Sequence, residues 1–482
     1  MPSDDRPEVR GGAPSAPPIV DVGLLSPVTV GFDESVTDAA FLSALVTAEV
    51  ALTRAWADAG VGSSKDEISE RFGWAAPGEL CAGHGLDATA IAAGSVTGGN
   101  PVIPLIAAMK AAVDPGARGA IHRGATSQDI LDSAMMLVAR RASAQVVDQL
   151  RQTEAALAAF AGAHRDHVAA ARTLTQHAVP TTVGLRAANW LRGVRRARAR
   201  LEAVAADLPA QLGGAAGTLA AFDRIAAEES AGPGVAAGLP AALAAQLGLA
   251  APDAPWHTTR WPVTELGDAL VQGIDAVGVL AADVATLSRT EIGELSEGTG
   301  GGSSAMPQKQ NPAASVLIRS AAIRAPYLGA TLHAAAALAV DERPDGAWHA
   351  EWPALRELLR VALGATGSAA RLAGGLRVDD SAVARNLAAT GGMIVSERLA
   401  IDLAPRIGRD RVDQLLVAAL AGEDLSTLVE GALRQAGDDA GVGDLLDPAA
   451  YTGLAGELVD SAVHSSAVED LPVTDSANGG QS

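Results

Sequence analysis

Cysteine is almost absent from this sequence of 482 residues, in which Cys81 is the only one. No disulfide can therefore form within the chain, and a metal site built from several cysteine thiolates is excluded. Aromatic residues make up only 3% of the sequence, so alanine, leucine and valine must fill most of the core. We expect no apolar run to be long enough to span a bilayer, and residues 1–18 lack the apolar stretch of a secretory signal. These absences predict a cytoplasmic protein.

Basic residues are also scarce, with 36 Lys and Arg against 56 Asp and Glu and a formal net charge of −20. Nucleic acids and anionic membranes bind basic surfaces, so we expect neither as a partner. The charge does not exclude a small anionic substrate, because a binding site needs only a few local cations.

Apolar residues make up 48% of the sequence, and their spacing predicts helices. Phe41, Leu45, Leu52 and Trp56 recur at intervals typical of one helical face. Three longer stretches have a similar pattern: 132–206, with a break near 172–184, then 264–294, and 312–339. No strand-like alternation of any length is visible. Because long alanine-rich helices usually pack into bundles, the sequence predicts an all-α fold.

The chain exceeds the usual size of one domain, so we expect several domains around a shared core. The predicted divisions are a disordered tail at 1–20, an N-terminal helical domain at 21–115, a central long-helix domain at 116–352, a C-terminal helical domain at 353–472, and a disordered tail at 473–482.

A glycine-rich segment separates the second and third long stretches. It reads Gly298-Thr-Gly-Gly-Gly-Ser-Ser-Ala-Met-Pro-Gln-Lys-Gln-Asn-Pro312. Consecutive glycines are costly to order, so this segment is predicted to be a loop. A simple linker would not need Met-Pro-x-Lys-x-Asn before a helix. The segment resembles the G-S-S-x-M-P-x-K-x-N signature loop of the fumarase/aspartase lyase superfamily and matches it at every specified position.

The resemblance implies a mobile loop that closes over a carboxylate substrate. In that family the first serine, here Ser303, takes a proton from the carbon next to a carboxylate. The lysine and asparagine, here Lys309 and Asn311, hold substrate and stabilise charge, and we expect Ser304 and Met306 to contact substrate too. Such a deprotonation creates a doubly charged aci-carboxylate, which requires preorganised cations and hydrogen-bond donors.

Two more segments match the superfamily on the substrate side. His122-Arg-Gly-Ala-Thr-Ser-Gln-Asp129 resembles its H-x-G-x-T-S-x-D block, which implies that His122, Thr126 and Ser127 bind substrate. A helix-capping turn is an alternative interpretation of the same residues, and both can hold. Asn100 lies in a turn that resembles the substrate-side G-N-x-x-I-P-L turn of one branch of the superfamily, the 3-carboxy-cis,cis-muconate cycloisomerase branch.

A third segment, Ala171-Arg-Thr-Leu-Thr-Gln-His-Ala-Val-Pro180, resembles the R-T-H-x-Q-x-A-x-P block. The resemblance makes Arg172, Thr173 and Gln176 substrate-binding residues. His177 follows directly after the glutamine and is a candidate catalytic residue, with a structural role as the alternative.

The sequence departs from the superfamily at one pair of positions. In members that eliminate amines or water, the histidine of R-T-H-x-Q pairs with a glutamate just after the loop; here these positions are Leu174 and Val316. Amines and hydroxide need a proton in order to leave, whereas a carboxylate, with a pKa of about 4, leaves unaided. The double change therefore favours a reaction at a carbon–oxygen bond to a carboxylate, such as lactone formation.

Further segments resemble the 3-carboxy-cis,cis-muconate cycloisomerase branch of the superfamily. They include Pro255-Trp-His-Thr258, Asp341–Trp352 and Leu445–Tyr451, while Thr299 and Gln308 stand where relatives often have Lys and His. We interpret the Trp-His-Ala-Glu-Trp run within 341–352 as core packing around a buried histidine.

This branch implies interconversion of 3-carboxy-cis,cis-muconate and its γ-lactone in protocatechuate catabolism. The substrate would be a small anionic tricarboxylate, no cofactor or metal would be required, and the enzyme would be a homotetramer whose sites are shared between subunits. Two alternatives stay open: adenylosuccinate lyase or another fumarate-releasing lyase, and an inactive structural protein derived from a lyase.

Overall fold

The computed structural model describes residues 21–298, 301–302, 306, 309–437 and 442–465. The two predicted tails, 1–20 and 473–482, lie outside the described residues. Of the predicted site residues, Ser303 and Ser304 also lie outside the described residues.

Four helices form the N-terminal part of the chain: α1 Asp38–Asp58, α2 Lys65–Arg71, α3 Ala88–Gly98 and α4 Val102–Ala111. The Thr37 side chain accepts a hydrogen bond from the Ala40 N–H and caps α1. Most of α1 from Leu42 to Trp56 is buried, because it packs on the central helices and on α8, Val235–Leu247.

Five long helices form the centre of the molecule: α5 Ser127–Ala163, α6 Val183–Ala206, α9 Trp261–Leu287, α10 Ala313–Ala337 and α11 Gly346–Gly375. The short helices α7 Ala220–Glu228 and α8 lie in the connection between α6 and α9. Helix α5 packs on α6 and α11, and α10 packs on α9 and α11. One continuous apolar core runs through all five. The predicted helical bundle is confirmed.

A β-hairpin interrupts the bundle where the sequence showed only a break in the helical pattern. Its strands, β1 Val168–Thr173 and β2 Gln176–Thr182, pair antiparallel. The two turn residues Leu174 and Thr175 both have positive φ, at 48° and 73°, which is the conformation of a two-residue type I′ turn. The expectation that the chain has no strands was therefore wrong at this position.

Short strands hold both ends of the glycine-rich segment. Strand β3, Leu295–Ser296, pairs with β6, Arg377–Val378, while β4, Gly301–Gly302, pairs with β5, Gln310–Asn311. Gly298 has φ +73°, and a Cβ atom there would lie 2.3 Å from the Gly375 carbonyl oxygen. Only glycine fits this close approach of the loop to the end of α11.

Among the described residues, the C-terminal part contains six α-helices: α12 Asp380–Ala388, α13 Ser396–Ile407, α14 Arg409–Leu420, α15 Leu425–Gln435, α16 Gly443–Leu446 and α17 Ala455–His464. A second, smaller core lies among α13, α14 and α15, and α17 packs back on α6. The predicted domain boundary at 352/353 falls inside α11, which continues through Pro353. The apolar residues of the second core begin at Ile394 instead, apart from Ala170 of the hairpin.

Two helices, α1 and α9, are long and apolar enough to cross a bilayer by length and composition alone, with mean hydropathies of 1.2 and 1.5. The expectation that no apolar run reaches this length was therefore too strict. Both helices contribute to the continuous core, and 72% of the apolar stretch of α1 is buried. Their apolar character is that of core helices.

The long helices separate two ends of the bundle. Helix α5 has 37 residues, so at 1.5 Å per residue it is about 55 Å long. Helices α5, α9 and α11 begin at the first end, where Arg260 contacts both Asp132 and Glu351. The hairpin and the base of the glycine-rich segment lie at the second end, beyond the last residues of α5, α9 and α11.

Candidate active site

His122 lies at the first end, just before α5, and contacts a buried carboxylate. Its Nδ1 atom is 2.7 Å from Oε1 of Glu49 on α1. The Glu49 side chain is fully buried, while 17% of the His122 side chain is exposed. Burial alone would lower the pKa of His122, but the hydrogen bond and the negative charge of Glu49 outweigh burial and raise it. The predicted substrate histidine is thus part of a carboxylate–imidazole pair.

Thr126 and Ser127 stand at the start of α5, where Asp129 organises the backbone. Its carboxylate accepts hydrogen bonds from the N–H groups of Thr126, Gly213 and Gly214 at 2.8–3.0 Å. The helix-capping interpretation of this segment is therefore correct. Thr126 and Ser127 are partly exposed and remain available to a ligand at the helix N-terminus.

A buried ionic network lies directly beneath this helix start. Arg260 donates to Asp132 with a shortest distance of 2.7 Å and to Glu351 with one of 2.6 Å. Trp348 Nε1 donates to Asp132 at 2.9 Å, and His257 Nε2 is 2.8 Å from Asp129. The segments around His257 and Trp348 resemble family segments, but nothing in the sequence indicates this network. It fixes the relative positions of α5, α9 and α11 below the substrate-side residues.

Asn100 lies in the turn between α3 and α4, and its side chain serves that turn. Its Oδ1 accepts from the Val102 N–H at 3.0 Å. His349 Nε2 lies 3.0 Å from the carbonyl oxygen of Gly99, and His349 Nδ1 lies 3.2 Å from that of Asp345. The prediction that His349 is a buried core residue was wrong, because its side chain is exposed at the bundle end while Trp348 is buried.

Arg172 lies at the second end and pairs with a buried carboxylate. Its guanidinium donates two hydrogen bonds to Glu294, and Asn386 Nδ2 donates to the same carboxylate at 2.8 Å. Burial alone would raise the pKa of Glu294, but the hydrogen bonds from Arg172 and Asn386 outweigh it and hold the pKa below its ordinary value. In this chain Arg172 therefore fixes the hairpin to the segment that leads into the loop.

The remaining hairpin residues project away from the core. Thr173, Leu174 and Gln176 are exposed, and Leu174 is 96% exposed. His177 is partly buried and lies opposite Arg172 in the strand register. Leu174 has φ 48°, a left-handed conformation that is uncommon for a bulky residue.

The described part of the loop lines an open cleft of about 550 Å³ at the second end. Asn311 and Arg377 are among the residues that line it. Glu297 is buried and accepts from the N–H groups of Ala314 and Ser315, so it caps α10. The loop base is thus held rigidly, and Arg377 adds a cation that sequence analysis missed.

Lys309 and Met306 are exposed in this loop, and Val316 on the first turn of α10 is 52% exposed. Both apolar residues of the altered pair, Leu174 and Val316, therefore lie on the surface of the single chain at the same bundle end. Within the described residues, no group of three or more His, Cys, Asp or Glu side chains could hold a metal ion.

The chain brings its predicted site residues together in two groups rather than one. The first end holds Asn100, His122, Thr126 and Ser127. The second end holds the hairpin residues 172–177 and the described loop residues Met306, Lys309 and Asn311. Because α5 separates the two groups by about 55 Å, a single chain cannot place them around one small substrate.

A profile of the lyase family matches residues 30–326 of the sequence. The chain belongs to this lyase family, the fumarase/aspartase superfamily. It is 44% identical over 468 residues to nitrosuccinate lyase of Streptomyces davaonensis, and the alignment covers 94% of this chain and 96% of that relative. It is 38% identical over 448 residues to 3-carboxy-cis,cis-muconate cycloisomerase of Pseudomonas aeruginosa, with coverages of 89% and 92%.

Solved structures of the family have the same fold. The 3-carboxy-cis,cis-muconate lactonizing enzyme from Pseudomonas putida gives a TM-score of 0.82 at 32% identity, covering 92% of this chain and 98% of that one. Fumarate lyase from Mesorhizobium sp. BNC1 gives 0.77 at 30% identity, with coverages of 90% and 97%. The predicted fold and superfamily are confirmed. The similar proteins differ in the reaction that their names give.

Proposed function

We propose that this lyase-family chain eliminates nitrite from nitrosuccinate. The serine base of the loop, Ser303, takes a proton from the methylene carbon next to one carboxylate. The electron pair of that C–H bond forms the carbon–carbon double bond, and the bond from the neighbouring carbon to the nitro nitrogen breaks. The products are fumarate, nitrite and a proton left on the enzyme.

The observation that carries this proposal is the apolar pair Leu174 and Val316. These positions hold the histidine–glutamate pair in family members whose leaving group must be protonated. Nitrite is the anion of an acid about as strong as a carboxylic acid, so it leaves without a proton donor, as a carboxylate does. A site without that pair can still expel nitrite, whereas it would expel an amine or hydroxide poorly.

Two further observations favour this substrate. The similarity to nitrosuccinate lyase is the higher of the two quoted above and extends over 94% of the chain. The loop has Thr299 and Gln308 where relatives often have Lys and His. Fewer cations in the loop suit a substrate with two carboxylates better than one with three.

Lactonisation of 3-carboxy-cis,cis-muconate is the second candidate. In that reaction a carboxylate oxygen bonds to an alkene carbon, and a proton adds to the carbon beside another carboxylate. The reverse reaction expels a carboxylate, which also needs no proton donor. The likeness of Pro255–Thr258 to the cycloisomerase branch and the TM-score of 0.82 to the Pseudomonas putida enzyme favour it.

The separation of the two groups of site residues supports a site built from more than one chain. We propose a homotetramer in which the first end of one chain meets the second end of others, in the cytoplasm and without a cofactor. Both candidate substrates are small polycarboxylate anions that fit such a shared, loop-covered site.

One experiment distinguishes the two candidates. Purified full-length protein is incubated in parallel with nitrosuccinate and with 3-carboxy-cis,cis-muconate, and products are followed by proton NMR and a colorimetric nitrite assay. Samples without protein give the spontaneous rates. The proposal predicts equal amounts of fumarate and nitrite from nitrosuccinate, well above the spontaneous rate. Lactone formation without nitrite release would instead favour the second candidate. If neither product forms, both candidates are refuted.

A further inference from the structure

Glu49 and His122 form a carboxylate–histidine pair at the substrate side of the first end, distinct from the pair that Leu174 and Val316 replace. Glu49 lies in the middle of α1, and His122 lies in the turn before α5 with φ +61°. A positive φ is uncommon for a residue other than glycine and requires support from its surroundings. The 2.7 Å contact with Glu49 gives that support.

The burial of Glu49 argues for a charged partner. Its side chain is 0% exposed, and its Oε2 atom has no hydrogen-bond partner among the described residues. A buried carboxylate with one occupied oxygen is costly unless its partner carries the opposite charge. An imidazolium at His122 provides that charge directly at Oε1.

The other ring nitrogen of His122 is available to a ligand. Nδ1 faces Glu49, and within the described part of the chain Nε2 has no hydrogen-bond partner. The side chain is partly exposed and precedes the N-terminus of α5, whose free N–H groups favour anions. His122 thus has one ring nitrogen without a partner among the described residues and lies shortly before the N-terminus of α5.

We propose that Glu49 is a positioning residue that holds His122 as an imidazolium, whose Nε2–H binds an anionic oxygen of the substrate. In the lyase family the substrate-side histidine is expected to contact substrate; the new element is the buried carboxylate that orients and charges it. The proposal deepens the proposed function and rests on it only in requiring a small dianion as ligand.

Three charged groups on neighbouring helices influence the pKa of His122. Glu49 on α1 and Asp129 on α5 favour the protonated ring, while Lys110 on α4 opposes it. Burial also opposes the charged form, and the carboxylates prevail, so the pKa of His122 lies above its ordinary value. Without Glu49, burial and Lys110 would act against Asp129 alone, and the ring would lose its proton at a lower pH.

Calorimetry measures the binding of fumarate to the full-length protein from about pH 5 to about pH 9. This range includes the pH at which a histidine side chain loses its proton. Wild-type affinity should fall as the pH rises through the His122 pKa. Glu49→Gln keeps the shape but removes the charge, and it should weaken binding by about 10- to 100-fold near neutral pH and move the fall to lower pH. Glu49→Asp should restore part of the wild-type pH profile.

Glu202→Gln is the matched control. Glu202 also pairs with a cation, Arg198, but lies on α6 away from His122. This variant should keep the wild-type affinity and pH profile. If Glu49→Gln shows a wild-type profile, or if fumarate does not bind to wild type at any pH, the inference is overturned.

A measurement on the wild type alone covers the case in which the variants fail to assemble. Calorimetry in buffers of different ionisation enthalpy counts the protons exchanged on binding. At a pH above the His122 pKa, fumarate binding should take up protons, because the dianion favours the imidazolium. Binding without proton uptake across the whole range would overturn the inference. Fumarate release in the product assay together with a wild-type pH profile for Glu49→Gln would refute this inference alone, which separates its failure from that of the proposed function.

Discussion

Replacing Arg260 by methionine would leave two buried carboxylates without their shared cation. The side chains of Arg260, Asp132 and Glu351 are each only 1% exposed. Removing one partner of a buried ion pair typically costs about 3–5 kcal/mol, because the other charge stays buried without compensation. Asp132 keeps hydrogen bonds from Trp348 and Gln128, so we expect most of the loss to arise at Glu351.

The pH dependence of this loss has a definite sign. In the wild type, burial raises the pKa of Glu351 although Arg260 opposes the shift. A carboxyl group whose pKa is higher in the folded state contributes stability below its unfolded pKa and loses that contribution as the pH rises through the folded pKa. Without Arg260 the upward shift grows. The variant should therefore differ least from the wild type in acid and most at neutral pH.

Urea denaturation followed by circular dichroism, at one fixed protein concentration, measures this loss. The control is Arg224→Met, which breaks an ion pair with Glu228 whose side chains are 75% and 60% exposed; it should cost less than about 0.5 kcal/mol. An Arg260→Met variant within about 0.5 kcal/mol of wild type, or one whose deficit grows towards acid pH, would refute the reasoning.

Three other predictions concern the loop, the altered pair and the assembly. Ser303→Ala should lower turnover by about 10²–10⁴-fold, while the circular dichroism spectrum stays unchanged. Lys309→Ala should lower both turnover and affinity for the substrate. Steady-state kinetics close to those of the wild type in either variant would contradict the role assigned to that residue. Combining Leu174→His with Val316→Glu should not raise kcat, since the leaving group needs no proton; a higher kcat for the double variant would mean that protonation limits the reaction. Light scattering should give a mass about four times that of the 48.4 kDa chain, and the mass of a single chain at assay concentration would rule out a shared site.

The long helices were predictable because their apolar residues repeat with helical spacing over many turns. The predicted stretches 264–294 and 312–339 correspond to α9 and α10, although the first extends seven residues beyond the end of α9 at Leu287. Helix α11 was harder, because the sequence pattern changes after Trp352 and Pro353 follows it. The helix continues there because its apolar face packs on α5, α9 and α10, which outweighs the hydrogen bond that proline lacks.

The hairpin could not be predicted from local pattern. Strand β1 includes three alanines in a row, which favour helix by intrinsic propensity. Neither residue of its turn, Leu174 or Thr175, is one of the glycine, asparagine or aspartate residues that usually mark a type I′ turn. Contacts with the rest of the fold select the strands here, including the bond from Arg186 to the carbonyl oxygen of Ala170.

The loop and the substrate-side blocks were recognisable because each is continuous in sequence. The partners that hold them are not. Glu49 and His122 are 73 positions apart, and Arg260 is 91 positions from Glu351. A single sequence gives no signal for such pairs, since each residue on its own resembles an ordinary charged or polar residue.

The central claim is that this site expels only leaving groups that depart without a proton. A series of 2-substituted succinates tests it most directly, because the carbon acid and both carboxylates stay the same while the leaving group changes. Fumarate release is measured from nitrosuccinate, malate and aspartate with the same enzyme preparation, each corrected for its spontaneous rate. The account predicts rapid release from nitrosuccinate and none above background from malate and aspartate. Turnover of malate or aspartate at a rate comparable to that of nitrosuccinate would contradict it.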